Sequence, residues 1–179
     1  MKIIGFNLEK TSYGLPLDNG GACLVIDGKV KMAIAEERLN RKQYSSGFKL
    51  SIKYLFNNNL DLNDIDLFVA SSCLDIMPKN SDVQKQLKEN GFDVPLKKIK
   101  VCDHHLSHAY SAYYPSSFDD AIIMVIDGDG NVLTKNMKQG TDNIKDYYID
   151  NIFNFRNFNR SSSRSFYWFI FCLCWRLDR

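Results

Sequence analysis

The chain has 179 residues, of which 45% are apolar and 25% charged, and its formal net charge is +2. That length makes one ordinary domain, the near balance of charge excludes wholesale nucleic-acid binding, and no apolar run approaches the roughly 20 residues of a membrane-spanning helix. Five scattered cysteines (Cys23, Cys73, Cys102, Cys172, Cys174) form no regular framework, and with no secretory apolar stretch after Met1 they point to reduced thiols in the cytoplasm.

Taken in order, residues 2–7 (KIIGFN) are a β-branched run that predicts a first strand. Residues 8–20 carry Gly14, Pro16, Asp18, Asn19 and Gly20, which is loop chemistry. Ala22 to Asp27 predicts a second strand, Asp27-Gly28 a type I′ turn, and Val30 to Ala35 an antiparallel return. Gly20 and Gly21 let the backbone approach something closely, either a packed loop or a ligand. The charge run Glu36 to Lys42 has the usual meaning of a solvated face.

Leu50, Ile52, Tyr54, Leu55 and Phe56 predict a helix that frays at Asn57-Asn58-Asn59. Ile65 to Ala70 reads as a buried parallel strand, and Gln84 to Asn90 as a helix stopped by Gly91 at C′. Lys98 to Cys102 is a further strand, delivering the chain to Asp103-His104-His105-Leu106-Ser107-His108. All three histidines of the protein lie in this stretch. With Asp103 as N-cap, His104 and His108 stand one turn apart on one helix face, where two imidazoles can close on one metal ion. His105 points about a quarter-turn away. The bland alternative is a capped helix start whose histidines bind nothing.

The helix is expected to run to Pro115. Ala121 to Ile126 is the most hydrophobic strand and reads as fully buried, ending in Asp127-Gly128-Asp129-Gly130-Asn131. That end is either a plain hairpin turn or a ligand edge, with glycine N–H groups for phosphate and Asp127 or Asp129 for a metal or its water. The element order gives an α/β domain with a mixed sheet, and both features are expected near the same sheet edge.

Together GFN (5–7), GGACLVIDGKV (20–30), AIAEERLNRK (33–42), HHLSHAYSAYY (104–114) and VIDGDGN (125–131) resemble the N-terminal domain of the O-carbamoyltransferases that decorate nodulation factors and antibiotics. The resemblance covers roughly residues 1–150. It implies the first half of an actin/hexokinase/Hsp70-like (ribonuclease H-like) nucleotide-binding domain, similar to the tRNA threonylcarbamoyl transferase. It implies carbamoyl transfer, through carbamoyl adenylate made from carbamoyl phosphate and ATP, to a hydroxyl of a sugar or natural product. His104 and His108 would ligate an iron-like divalent metal. Asp127, Gly128, Asp129, Gly130 and Asn131 would face nucleotide phosphates, and Arg38 or Arg41 would touch the nucleotide or else serve a structural ion pair. His105 is a candidate base for the acceptor hydroxyl. Many members carry His-Asp just before the second strand, where this chain has Asp18-Asn19; Asn19 can be neither base nor anionic ligand, whereas Asp18 can.

Residues 1–151 are thus expected to be the N-terminal part of the nucleotide- and metal-binding domain, and 152–179 an aberrant tail. From Val132 onward there are 8 Lys/Arg and 4 Asp/Glu, leaving 15 and 17 before it. The tail interleaves both tryptophans and many phenylalanines with arginine and serine, without a 2- or 3.6-residue period. A slipped reading frame is the preferred expectation; an interfacial membrane anchor and an aromatic–arginine nucleic-acid patch are the competitors, and neither membrane nor nucleic acid is expected as a partner. Three readings follow: a carbamoyltransferase too short to turn over alone, a metal- or nucleotide-binding fragment paired with a separately encoded C-terminal part, or the remnant of a broken gene.

Overall fold

The computed structural model describes residues 1–56, 60–73, 77–114, 116, 118 and 121–125, and the backbone of 151–155. Strand β1 (Lys2–Asn7) is followed by β2 (Gly21–Ile26) and β3 (Lys29–Ala35). The turn between β2 and β3 has positive φ at both Asp27 (49°) and Gly28 (74°), the type I′ geometry that Asp-Gly favours. Helices α1 (Glu36–Asn40) and α2 (Lys49–Phe56) come next, then β4 (Leu67–Ser71), α3 (Asn80–Glu89), β5 (Ile99–Cys102) and α4 (His104–Tyr113). Helix α3 starts four residues before the expected Gln84 because Asp82 accepts the Lys79 N–H at 2.9 Å, closing a polar first turn. It ends as expected, with Gly91 at φ 91°.

The first five strands form one mixed sheet in the order β3-β2-β1-β4-β5. β2 is antiparallel to both neighbours, while β4 is parallel to β1 and to β5. The carboxyl ends of β1, β3, β4 and β5 therefore share one edge with the amino end of β2. Alternation along the strands sends Ile4, Phe6, Leu24, Phe68 and Ile99 to one face, where they pack with Ile52 and Leu55 of α2 and Val83 and Leu87 of α3. Ile3, Cys23, Val25, Val69 and Cys102 are buried on the other. Each fully buried aliphatic or aromatic side chain here contributes about 1.5–3 kcal/mol, so this two-faced core dominates stability.

Gly20 belongs to packing. A Cβ at Gly20 would lie 2.1 Å from the Gly47 carbonyl oxygen, and its own N–H donates to the Ser45 carbonyl at 2.7 Å. The loop before β2 thus closes on residues 45–47.

Strand β6 (Ala121–Val125) departs from expectation in two ways. It pairs antiparallel with β7 (Asn151–Phe155) in a separate two-stranded sheet, apart from the five-stranded one. It is also not fully buried: Ile122 and Met124 are 67% and 65% exposed, whereas Val125 packs on Ala109, Tyr110 and Tyr113 of α4. A run that is apolar at every position reads as buried on both sides, but here only alternate residues meet α4. The Asp127–Asn131 segment and everything after Phe155 lie outside the described residues, and β7 straddles the composition change at residue 152. Among the described residues no helix is long and apolar enough to cross a membrane.

Candidate functional site

Helix α4 starts where β5 ends, at the shared carboxyl edge. The Asp103 carboxylate accepts the Leu106 N–H at 2.8 Å, which is the expected N-cap. Ser107 Oγ donates to the Asp103 carbonyl at 2.7 Å and sits 2.8 Å from the buried Cys102 sulfur, tying the first turn to the end of β5. The far side of the helix is apolar: burial pushes the Tyr110 phenol up to about 12, with Tyr114 and Cys102 adding to the shift. One side of α4 is thereby fixed to the interior and the other presents its histidines.

His104 and His108 meet as the i, i+4 spacing predicts. Their Nε2 atoms are 3.2 Å apart and their rings cross at 86°. Two nitrogens each roughly 2.0–2.1 Å from one ion, at angles of about 90–110°, would be about 2.8–3.4 Å apart, so this pair fits a shared divalent metal with little adjustment. The donor set is two imidazoles, which suits a transition metal. Among the described residues no group of three His, Cys, Asp or Glu stands ready to hold an ion.

The two histidines open on a cleft at the carboxyl edge of the sheet. Asn7 and Leu8 reach it from the end of β1, and Ser71, Ser72 and Cys73 from the end of β4. Asp18, with Leu17 beside it, comes from the loop before β2, and Ser107 from α4. The structure therefore joins three of the residues singled out in sequence, His104, His108 and Asp18, from segments some 90 positions apart.

The others are placed elsewhere. His105 is buried, its ring centre 5.8 Å from that of His104, and it does not line the cleft. Asn19 has φ 57°, and its carbonyl accepts the Asn7 side-chain amide at 2.8 Å; it holds the cleft wall without lining it. Arg38 is an exposed residue of α1 whose guanidinium lies 3.6 Å from Glu37. Asp127, Gly128, Asp129, Gly130 and Asn131 are outside the described residues.

Glu36 is the surprise of the charge run. It is 4% exposed, and its two carboxylate oxygens accept the Leu50 and Ser51 N–H groups, each at 2.8 Å, at the start of α2. This is a helix cap delivered from 14 residues upstream, where a solvated face is the ordinary reading. Ser71, Ser72 and Cys73 carried no site signal in the sequence, and Asn7 and Ser107 stood out only as parts of the GFN and HHLSHAYSAYY stretches. Their one clue is position at strand ends, which acquires meaning only when β1, β4 and β5 are known to be neighbours.

The family model described as "Carbamoyltransferase N-terminus" matches residues 82–159, a span that contains α4. The nodulation protein NolNO of Sinorhizobium fredii is 33% identical over 148 residues, covering 69% of this chain and 22% of that protein. An uncharacterised protein of Synechocystis is 27% identical, covering 70% of this chain and 26% of its own length. The chain thus spans about a quarter of the length of the curated relatives it matches. The matched span includes the histidine helix that forms one wall of the cleft, and the chain belongs to the carbamoyltransferase N-terminal family.

Proposed function

We propose that this chain is the metal- and nucleotide-side part of an O-carbamoyltransferase, acting in the cytoplasm on carbamoyl phosphate, ATP and a hydroxyl acceptor by way of carbamoyl adenylate. The observation that carries the reading is the His104–His108 pair, 3.2 Å apart and open to a cleft at the carboxyl edge of the sheet, in a chain of this family. The strand order β3-β2-β1-β4-β5 supports an actin/hexokinase/Hsp70-like scaffold for it.

His104 and His108 would hold a divalent, iron-like metal, which when bound supplies Lewis-acid polarisation of a carbonyl or phosphoryl oxygen. The chain's own groups do the remaining work. Ser71 and Ser72 offer hydroxyls and Asn7 an amide with which a carbamoyl or phosphate group can hydrogen-bond, while the Ser107 hydroxyl is spent on the Asp103 carbonyl. Asp18 supplies negative charge at the mouth. The buried position of His105 beside His104 suits a positioning role for the helix start better than proton abstraction from an acceptor. Asp127 to Asn131 are proposed to face the nucleotide phosphates.

A second reading has its own support in the two-ligand site: the chain is a non-catalytic metal- or nucleotide-binding fragment that works with a separately encoded remainder. Metal analysis of the purified chain tests what the two readings share. Bound metal should fall at least 100-fold in affinity in His104→Ala and in His108→Ala; unchanged content in both variants would end the metal reading. A radiolabelled carbamoyl-transfer assay separates them. Product from this chain alone would favour the first, and product only after adding a partner the second.

A further inference from the structure

Among the described residues that line the cleft the one carboxylate is that of Asp18; Asn7, Ser71, Ser72 and Ser107 are neutral. Two neutral imidazoles leave the charge of a bound dication uncompensated, and a carboxylate in the same cleft lowers that energy. Asp18 is exposed, so its carboxylate is hydrated, and it does not complete a three-residue ligand cluster with His104 and His108. Charge and hydration together favour contact through water over direct ligation.

The backbone around Asp18 is held from several directions. Leu17, before it, is 4% exposed, and its N–H donates to the Glu9 carbonyl at 3.0 Å. The Asn19 carbonyl accepts from Asn7 at 2.8 Å, and the Gly20 N–H donates to Ser45 at 2.7 Å. The loop that presents the carboxylate is thus part of the fold and not a loose connection.

We infer that Asp18 is the outer-sphere charge partner of the His104–His108 site, holding a hydrated divalent cation through water on the ion. This rests on the reading of the two histidines as ligands. Asp18 is a positioning residue in this scheme, and it determines how strongly a doubly charged ion is preferred.

The test is titration of the full chain with Co(II), followed by its visible absorption. Asp18→Asn should bind about tenfold more weakly, the usual cost of removing an outer-shell carboxylate, and Asp18→Glu within about threefold of the original. At saturation the Co(II) bands should be unmoved in Asp18→Asn, because the imidazole ligands remain. The ratio between the original chain and Asp18→Asn should shrink as salt rises from about 0.05 to 0.5 M, as a screened charge contribution must. A purely structural role for Asp18 would show no such salt dependence. Equal affinity in Asp18→Asn, or shifted bands that mark Asp18 as a direct ligand, overturns the inference. His108→Ala keeps the two failures apart: if it binds Co(II) normally the metal reading itself falls, and if it loses Co(II) while Asp18→Asn does not, the Asp18 role alone falls.

Discussion

Helices α1 and α4 make an instructive pair. Both begin at the carboxyl edge of the five-stranded sheet, α1 after β3 and α4 after β5, and both open with a dense polar run. In α1 the leading residue, Glu36, turns inward and spends both carboxylate oxygens on the N–H groups of another helix. In α4 the leading residue, His104, turns towards its own next turn and a cleft. Both runs are polar, and polarity by itself says nothing about which helix lines the cleft. The pairing of the strand before each helix does: α4 follows an edge strand that runs parallel to β4, where the carboxyl ends of neighbouring strands leave a crevice, whereas α1 follows the opposite edge strand, which is antiparallel to β2.

Crossed substitutions break the comparison most directly. Glu36→Ala strands two backbone donors and should cost about 2–3 kcal/mol in urea-induced unfolding, while metal bound per folded molecule stays unchanged. His108→Ala should do the reverse, losing metal with a stability change below about 1 kcal/mol, since the side chain is only half-buried. If both variants lose metal in proportion to their loss of fold, the two helices are alike after all. Ser107→Ala removes the hydroxyl that ties α4 to Asp103 and should cost about 1 kcal/mol by the same measurement.

Alkaline titration sharpens the α4 side. The Tyr110 phenol is raised in the folded chain to about 12, so folding favours its neutral form. That contribution is complete below the unfolded value near 10 and is lost as the pH climbs from there towards 12. Absorbance near 295 nm should show one tyrosine ionising late and together with unfolding; a fully normal tyrosine titration would contradict the dry packing behind the histidines. The smallest effect belongs to Arg38→Ala. An exposed pair with Glu37 contributes under about 0.5 kcal/mol, and neither stability nor Co(II) affinity should move measurably.

Local signals made much of this legible in sequence. Asp27-Gly28 specified its hairpin, Gly91 its helix stop, and Asp103 its cap, because each acts within four residues of itself. Ile65 to Ala70 announced a buried parallel strand, and β4 lies between β1 and β5. The histidine face followed from helical spacing alone. What did not show were relations across long separations: Glu36 capping α2, Ser71 and Asn7 meeting at one cleft, and β6 laying only alternate residues on α4. Residue type cannot report those, because the partner is chosen by strand order.

The contact of Gly20 with Gly47 has a consequence for the order in which the molecule assembles. The wall that carries Asp18 is closed by the Gly20 N–H on Ser45 and by the Glu36 N–H on the Gly20 carbonyl. Those partners lie 25 and 16 positions downstream, beyond the hairpin. The β2–β3 hairpin can therefore zip early from its own turn, but the cleft gains its second wall only after the α1–α2 connection has closed, at the entropic cost of a longer loop. Amide hydrogen exchange during refolding should accordingly protect Val25 before Gly20.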